Sequence, residues 1–191
     1  LSSGSRIVRA SDDAAGLAVG SSLRADITTL KQGGINAVQA RSVLQTADGA
    51  LARVGDILQR MKSLTAQAVS GSVDNTSRGF IDQEYDALKA EAIAIGTNTS
   101  FNGTALLTGN YNATNNVATF QVGTAVADTI VADLTTVVVT AAVMTSLAAN
   151  TDTAANAIAA SPLVDADIDR VSAHRATVGS LLSRFEYRGD V

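Results

Sequence analysis

The sequence predicts a mainly α fold: an elongated bundle of long antiparallel helices with a small β-hairpin element at one end. Three observations carry this. Residues 35–70 place apolar side chains at steps of three and four (Val43, Ala47, Ala50, Val54, Ile57, Met61, Leu64, Ala68), with Leu44, Leu51 and Leu58 widening the seam. Two further apolar stripes of helical period follow, one after residue 80 and one after residue 162. Between them lies a stretch in which the period falls to that of strands. A period near 3.5 held for about four heptads requires a long helix that buries one face against others. The columns opposite the seam hold Asp48, Arg53, Asp56, Gln59, Arg60 and Gln67, as a solvated flank should.

Composition narrows the choices further. The 191 residues are 46% hydrophobic but only 4% aromatic, so small aliphatic residues must build the core. That suits close helix packing better than a deep ligand cavity. The net charge is −4 and the 14 lysines and arginines are scattered, which leaves no basic patch for nucleic acid. No apolar run reaches the length of a membrane span. With no cysteine, disulfides, thiolate zinc sites and cysteine nucleophiles are excluded.

In chain order, residues 1–10 read as a loop. Ser11 followed by Asp12 and Asp13 reads as a helix start, with an N-capping oxygen and carboxylates at the positive end of the dipole. Leu23, Ile27, Leu30 and Val38 carry the helical pattern onward, and one continuous helix of nearly sixty residues is expected despite Gly33-Gly34. Residues 71–77 form a polar break. A second helix buries Ile81, Tyr85, Leu88, Ala92 and Ile95, and is expected to stop at Gly96. Its short connection makes it an antiparallel neighbour of the first. Phe101-Asn102-Gly103 forms a turn, residues 111–116 a polar loop, and Thr119–Val122 with Thr129–Val131 a hairpin. Val137-Val138-Val139 is a third strand or a buried run. Ser161-Pro162 is expected to open a third helix, which buries Leu163, Ile168, Val171, Val178, Leu182 and Phe185. Three parts result: residues 1–100, 101–160 and 161–191.

Catalytic chemistry finds no footing. The single histidine, His174, has no acidic residue at a metal-ligand spacing, and Asp12-Asp13 diverge around a helix. Gly16 and Gly20 match a GxxxG spacing outside any apolar 20-residue stretch, which is not a dimer motif. No enzyme, metal or cofactor is expected.

Several stretches together resemble bacterial flagellin. Leu1-Ser2-Ser3-Gly4, Arg6-Ile7 and Asp12-Asp13-Ala14-Ala15-Gly16 are similar to the family's N-terminal signature. Leu44-Gln45-Thr46-Ala47-Asp48-Gly49-Ala50-Leu51 resembles its long-helix motif, continued by Leu58-Gln59-Arg60 and Gln67-Ala68. Thr99-Ser100-Phe101-Asn102-Gly103 and Phe120-Gln121-Val122-Gly123 resemble its turn and hairpin, and Val171-Ser172, Arg175-Ala176, Gly179 and Ser183-Arg184-Phe185-Glu186 its C-terminal helix. The resemblance implies the helical core of a flagellar filament subunit, exported to the cell surface and packed against copies of itself. The variable outer domains would be almost absent. The terminal segments that pair as an inner coiled coil in the family would lie before Leu1 and after Val191, and the start without Met points to trimming. The chain by itself is then expected not to grow long helical filaments. A hook–filament junction protein is a less similar relative. The alternative is a flagellin-like surface protein that binds glycans as adhesin or receptor.

For contacts, Arg60, Lys62, Leu64, Gln67 and Glu84 are the candidate partner surface. Arg60 and Gln67 share a heptad column, and antiparallel packing would bring Glu84 beside Arg60. The seam count places Leu64 inward. The resemblance implies that positions matching Arg60, Leu64 and Glu84 pack neighbouring subunits and meet the vertebrate innate receptor for flagellin. Ser63 stands where receptor-activating relatives usually carry an acid, which implies filament contact with weak receptor activation.

Overall fold

A computed structural model describes residues 14–111 and 118–189. Helix α1 (Ala14–Val69) runs unbroken for 56 residues, as the apolar period requires. The expected start at Ser11–Asp13 lies outside the described residues. The chain turns at residues 70–74 and enters α2 (Asn75–Asn98), which opens where the Asp74 carboxylate accepts the Ser77 N–H at 2.8 Å. The polar break is therefore shorter than expected, because Asn75, Thr76 and Ser77 form the first turn of α2 beneath that cap. The two hydrogen bonds offered by Ser77 hold the Asp74 carboxyl below its ordinary pKa.

Two small antiparallel pairs follow. Strands β1 (Ser100–Phe101) and β2 (Thr104–Ala105) close a tight turn in which Asn102 and Gly103 take φ of 48° and 79°. Two left-handed residues in succession are what a two-residue hairpin turn needs, and Asn-Gly accepts them at low cost. Strands β3 (Thr119–Gln121) and β4 (Thr129–Val131) pair Phe120 with Ile130. Val137 and Val139 are buried and Val138 makes only a single bridge to Thr108, so this is the buried run and not a third strand. A single 3-10 turn (Thr145–Ala148) precedes α3 (Ala154–Gly189).

Helix α3 starts seven residues ahead of the expected Ser161-Pro162, with Pro162 inside it. Thr153 supplies the helix start instead: its hydroxyl accepts the Asn156 N–H at 3.2 Å. The burial of Ala157 and Ala160 rewards helix upstream of the proline. Pro162 itself is exposed and gives up one backbone bond there.

Helix α3 lies antiparallel along α1 and makes the dominant contact of the fold. Leu44, Leu51, Val54, Leu58 and Met61 of α1 are fully buried with Tyr85 of α2 and Val164, Val178 and Phe185 of α3. Ion pairs flank this seam: Arg41–Glu186 at 3.3 Å, Asp48–Arg175 at 2.9 Å and Lys62–Asp165 at 2.5 Å. Their α1 members fall on a seven-residue repeat whose remaining rung is Gly55, where Val171 covers the backbone. Each pair is largely exposed and contributes about 0–1 kcal/mol; together they set the antiparallel register.

The β3–β4 hairpin rests on the lower part of this pair. Asn36 donates to the Gln121 carbonyl at 2.9 Å, and Phe120 meets Phe185 edge-on at 5.6 Å between ring centres. Gly33 sits beneath Val122, where a Cβ would come within 3.0 Å of backbone atoms. The glycine pair in α1 is thus a landing place for the hairpin, not a kink. The two members differ sharply, since nothing lies within 4 Å of a Cβ at Gly34. Gly34→Ala is expected to stabilise the chain by about 0.5–1 kcal/mol through helix propensity alone. Gly33→Ala should cost about 1–3 kcal/mol, because backbone must move. Equal effects of the two in urea melts would show that the hairpin does not sit on α1.

Gly96 differs from the expected helix stop. A Cβ there would lie 2.0 Å from the Val139 carbonyl oxygen, so Gly96 is a close-approach site inside a helix that continues to Asn98. From Val139 onward the chain returns along the bundle and is held by side chains of α2 and α3. Buried Asp167 accepts the Ser146 N–H at 2.7 Å, and the Tyr85 hydroxyl donates to the Ser146 carbonyl at 3.1 Å. Asp82 accepts the Thr151 N–H at 2.6 Å and Lys89 donates to the Ala149 carbonyl at 2.7 Å. Burial, with Asp167, Asp82 and Asp86 close by, pushes the Tyr85 phenol well above its usual pKa, so it stays a donor.

Candidate assembly surfaces

The candidate contact residues divide between two flanks of α1. Arg60 Nε and a terminal guanidinium nitrogen lie 2.7 and 2.6 Å from the same Glu84 oxygen, joining α1 to α2 as antiparallel packing required. Both side chains remain about half exposed, which limits the pair to about 0–1 kcal/mol of stability and leaves it accessible. Gln67 is exposed on the same flank. Lys62 is not part of this patch. Two positions on from Arg60 turn an α-helix through about 200°, so Lys62 faces the other flank and pairs with Asp165 of α3. Leu64 is corrected as well: it is 2% exposed in the core, where the seam count had put it, and offers no free surface. Ser63 is exposed.

His174 is half-buried on α3, with Nε2 enclosed and without a hydrogen-bond partner. Desolvation, with Arg170 nearby, lowers its pKa, so the ring is neutral near pH 7. Among the described residues no three His, Cys, Asp or Glu side chains gather as a metal would need, and no helix is long and apolar enough to cross a membrane.

A second surface was not identified as such from the residues. Leu23, Leu30, Ala37, Leu44, Leu51 and Leu58 occupy one heptad column of α1. From Ala37 onward the column is buried, but Leu23 and Leu30 are 56% and 47% exposed, flanked by exposed Val19 and Ile27. The last described residue of α3, Gly189, lies beside Ala37.

Helix α1 thus carries one apolar seam along the bundle, flanked by accessible ion pairs, which is the long-helix architecture the sequence predicts. Comparison with known proteins agrees. The family model for the bacterial flagellin N-terminal helical region matches residues 1–112, more than half of the sequence. The chain belongs to the flagellin family. Flagellin of Bacillus subtilis is 44% identical over 113 residues, covering 58% of this chain and 37% of the relative. Flagellin of Clostridium tyrobutyricum is 44% identical over 109 residues, covering 57% and 29%. The flagellar filament 33 kDa core protein of Treponema phagedenis is 40% identical over 111 residues, covering 58% and 39%. The chain thus spans about a third of the length of such flagellins. The crystal structure of Bacillus cereus flagellin superposes with a TM-score of 0.71 at 31% identity, over 82% of this chain and 88% of that one. The helical bundle with its small β element is therefore a flagellin fold.

Proposed function

We propose that this chain is a structural subunit of the bacterial flagellar filament, outside the cell, that assembles with copies of itself by helix packing. The observation that carries this is the flagellin bundle itself, in which α1 buries one continuous apolar stripe from Ala37 to Ala68, together with the match to the flagellin N-terminal helical region. The relatives named above are called flagellins or a filament core protein, and they lend no support to the glycan-binding alternative.

The test places Leu23→Asp with Leu30→Asp in the gene of the source cell. Because both side chains already face water, the purified variant should keep its helicity and melting temperature. It should be missing from the filaments seen by electron microscopy and immunolabelling. Normal incorporation of the variant would overturn this reading.

Arg60, Glu84 and Gln67 supply a second, lateral contact between subunits in this reading. The variant Arg60→Ala with Glu84→Ala should fold with a stability change under about 1 kcal/mol and assemble more slowly. Unimpaired filament growth would reduce that flank to ordinary solvated surface. Docking of the vertebrate receptor on the same flank would be weak, with Ser63 in place of an acid.

A further inference from the structure

Helix α3 turns one seam inward, at steps of three and four: Val164, Asp167, Val171, His174, Val178 and Leu181. The four aliphatic members are buried. Asp167 is buried too, and both its oxygens are engaged, one by the Ser146 N–H and the other by Arg170. His174 alone keeps an enclosed polar atom, Nε2, without a hydrogen-bond partner among the described residues. A neutral ring tolerates this by carrying its proton on Nδ1 and leaving Nε2 bare. A protonated ring has a donor on both nitrogens and a positive charge. Its second N–H would then sit in a closed place with no acceptor, which is costly.

No carboxylate stands ready to receive that charge. Helix α3 packs on α1 and on the 3-10 turn of the returning segment. On α1, Asp48 is held by Arg175 at 2.9 Å, Asp56 lies in the field of the same arginine, and Arg53 is itself a cation. Residues 134–149 of the returning segment include no acidic, basic or tyrosine side chain. From α2, the Tyr85 hydroxyl enters the neighbouring cluster as a donor to the Ser146 carbonyl. On α3 itself, Arg170 lies one turn before His174, and its charge acts on the ring. That arginine also clamps the returning segment. Its Nη1 donates to the Val143 carbonyl at 2.6 Å and pairs with Asp167, which accepts the Ser146 N–H at 2.7 Å. An enclosed imidazole is thus joined, through one arginine, to the hold on residues 143–146.

We propose that His174 is an acid-sensitive switch: neutral, it closes the α3 seam, and protonated, it displaces Arg170 and frees residues 143–146 from α3. Like charges one turn apart on a helix repel. The Arg170 side chain is 34% exposed, so the guanidinium has water to move into. Burial lowers the pKa of His174, and the Arg170 charge adds to this. The unfolded chain therefore binds its proton near pH 6.5 and the folded chain only at lower pH. Stability present above that value is lost as pH falls through the folded pKa. Ordinary carboxylates titrate well below this window, so within it the chain's single histidine acts alone. The switch goes beyond the filament reading and does not depend on it.

The test is an NMR titration of the purified chain from about pH 7.5 to about pH 5, for wild type and for His174→Gln, which stays polar but does not titrate. The imidazole midpoint is expected below about 6.5, and the Ser146 amide, bonded to Asp167, should move with the same midpoint. In His174→Gln that amide should stay still across the window. The melting temperature of wild type should fall by a few degrees from the neutral to the acid end, and that of the variant by less than half as much. Hydrogen exchange, timed to hold the intrinsic rate constant, should quicken in residues 143–146 of wild type at the acid end. Should the variant melt too low to compare, the shared midpoint of imidazole and Ser146 in wild type decides alone. An imidazole midpoint at or above about 6.5 would overturn the proposal, since nothing would then oppose the charged ring. So would a Ser146 amide indifferent to the histidine. Equal acid losses in wild type and variant would also sink it, because they are what a purely packing role for His174 predicts.

Discussion

Leu58→Ala is expected to destabilise the chain by about 2–5 kcal/mol, the range for a buried leucine truncated where the surroundings only partly relax. Leu58 has no exposed surface and lies between Val54 and Met61 in the seam of α1, where α2 and α3 both pack. Helix α1 is held from both sides there by ion pairs, Arg60 to Glu84 and Lys62 to Asp165, so its backbone is poorly placed to collapse into the vacated space. The cost should therefore fall in the upper half of the range. A paired control is Leu23→Ala in the same heptad column but in water, which should cost under about half a kcal/mol. Denaturant melts showing similar losses for the two would mean that the seam is covered evenly along α1.

The long helices were readable because their signal is redundant. Many apolar positions vote on one period, so a glycine pair at Gly33-Gly34 or a proline at Pro162 is outvoted. The misread points are where a single residue was taken as punctuation. Gly96 looks like a C-terminal stop, yet its missing side chain accommodates the Val139 carbonyl, a contact 43 positions away in the chain. Pro162 looks like a first-turn residue, yet burial of Ala157 and Ala160 extends α3 ahead of it. In both cases tertiary packing overrode a local preference of about 1–3 kcal/mol, and no window along the sequence contains that packing.

The placement of the candidate contact residues was partly legible for the same reason. Heptad arithmetic placed Arg60 and Gln67 together and brought Glu84 across from α2, since both follow from helix geometry alone. It also put Leu64 inside, and the structure agrees. Grouping Lys62 with Arg60 ignored that residues two apart do not share a helix face. Which side chains find partners across helices, as Lys62 finds Asp165, was not legible. Such pairings are properties of the assembled bundle.

Arg78→Ala is expected to cost about 3 kcal/mol, from one side chain that closes two helix ends at once. Arg78 is 7% exposed, and its Nε donates to the Ala68 carbonyl at 2.7 Å. One terminal nitrogen donates to the Ser70 carbonyl at 3.0 Å and the other to Asn75 Oδ1 at 2.9 Å. Helix α1 carries no basic residue in its last turn, so the guanidinium of α2 supplies the donors and the positive charge that its C-terminal carbonyls lack. Hydrogen bonds from a charged donor are each worth about 1.5–3 kcal/mol, and losing them leaves the buried Ala68 carbonyl without its donor, while the Ser70 and Asn75 acceptors lie in exposed residues. Part of this returns if solvent enters the vacated space, which keeps the total near the value of one or two such bonds. Arg78→Lys should recover less than half, because a single ammonium cannot reproduce the fork that reaches Ala68 and Ser70 together. Hydrogen exchange would locate the effect, with faster exchange confined to the last turn of α1 and the first of α2. A melting temperature unchanged in Arg78→Ala would mean that the turn between the helices is held by Asp74 and its own backbone bonds.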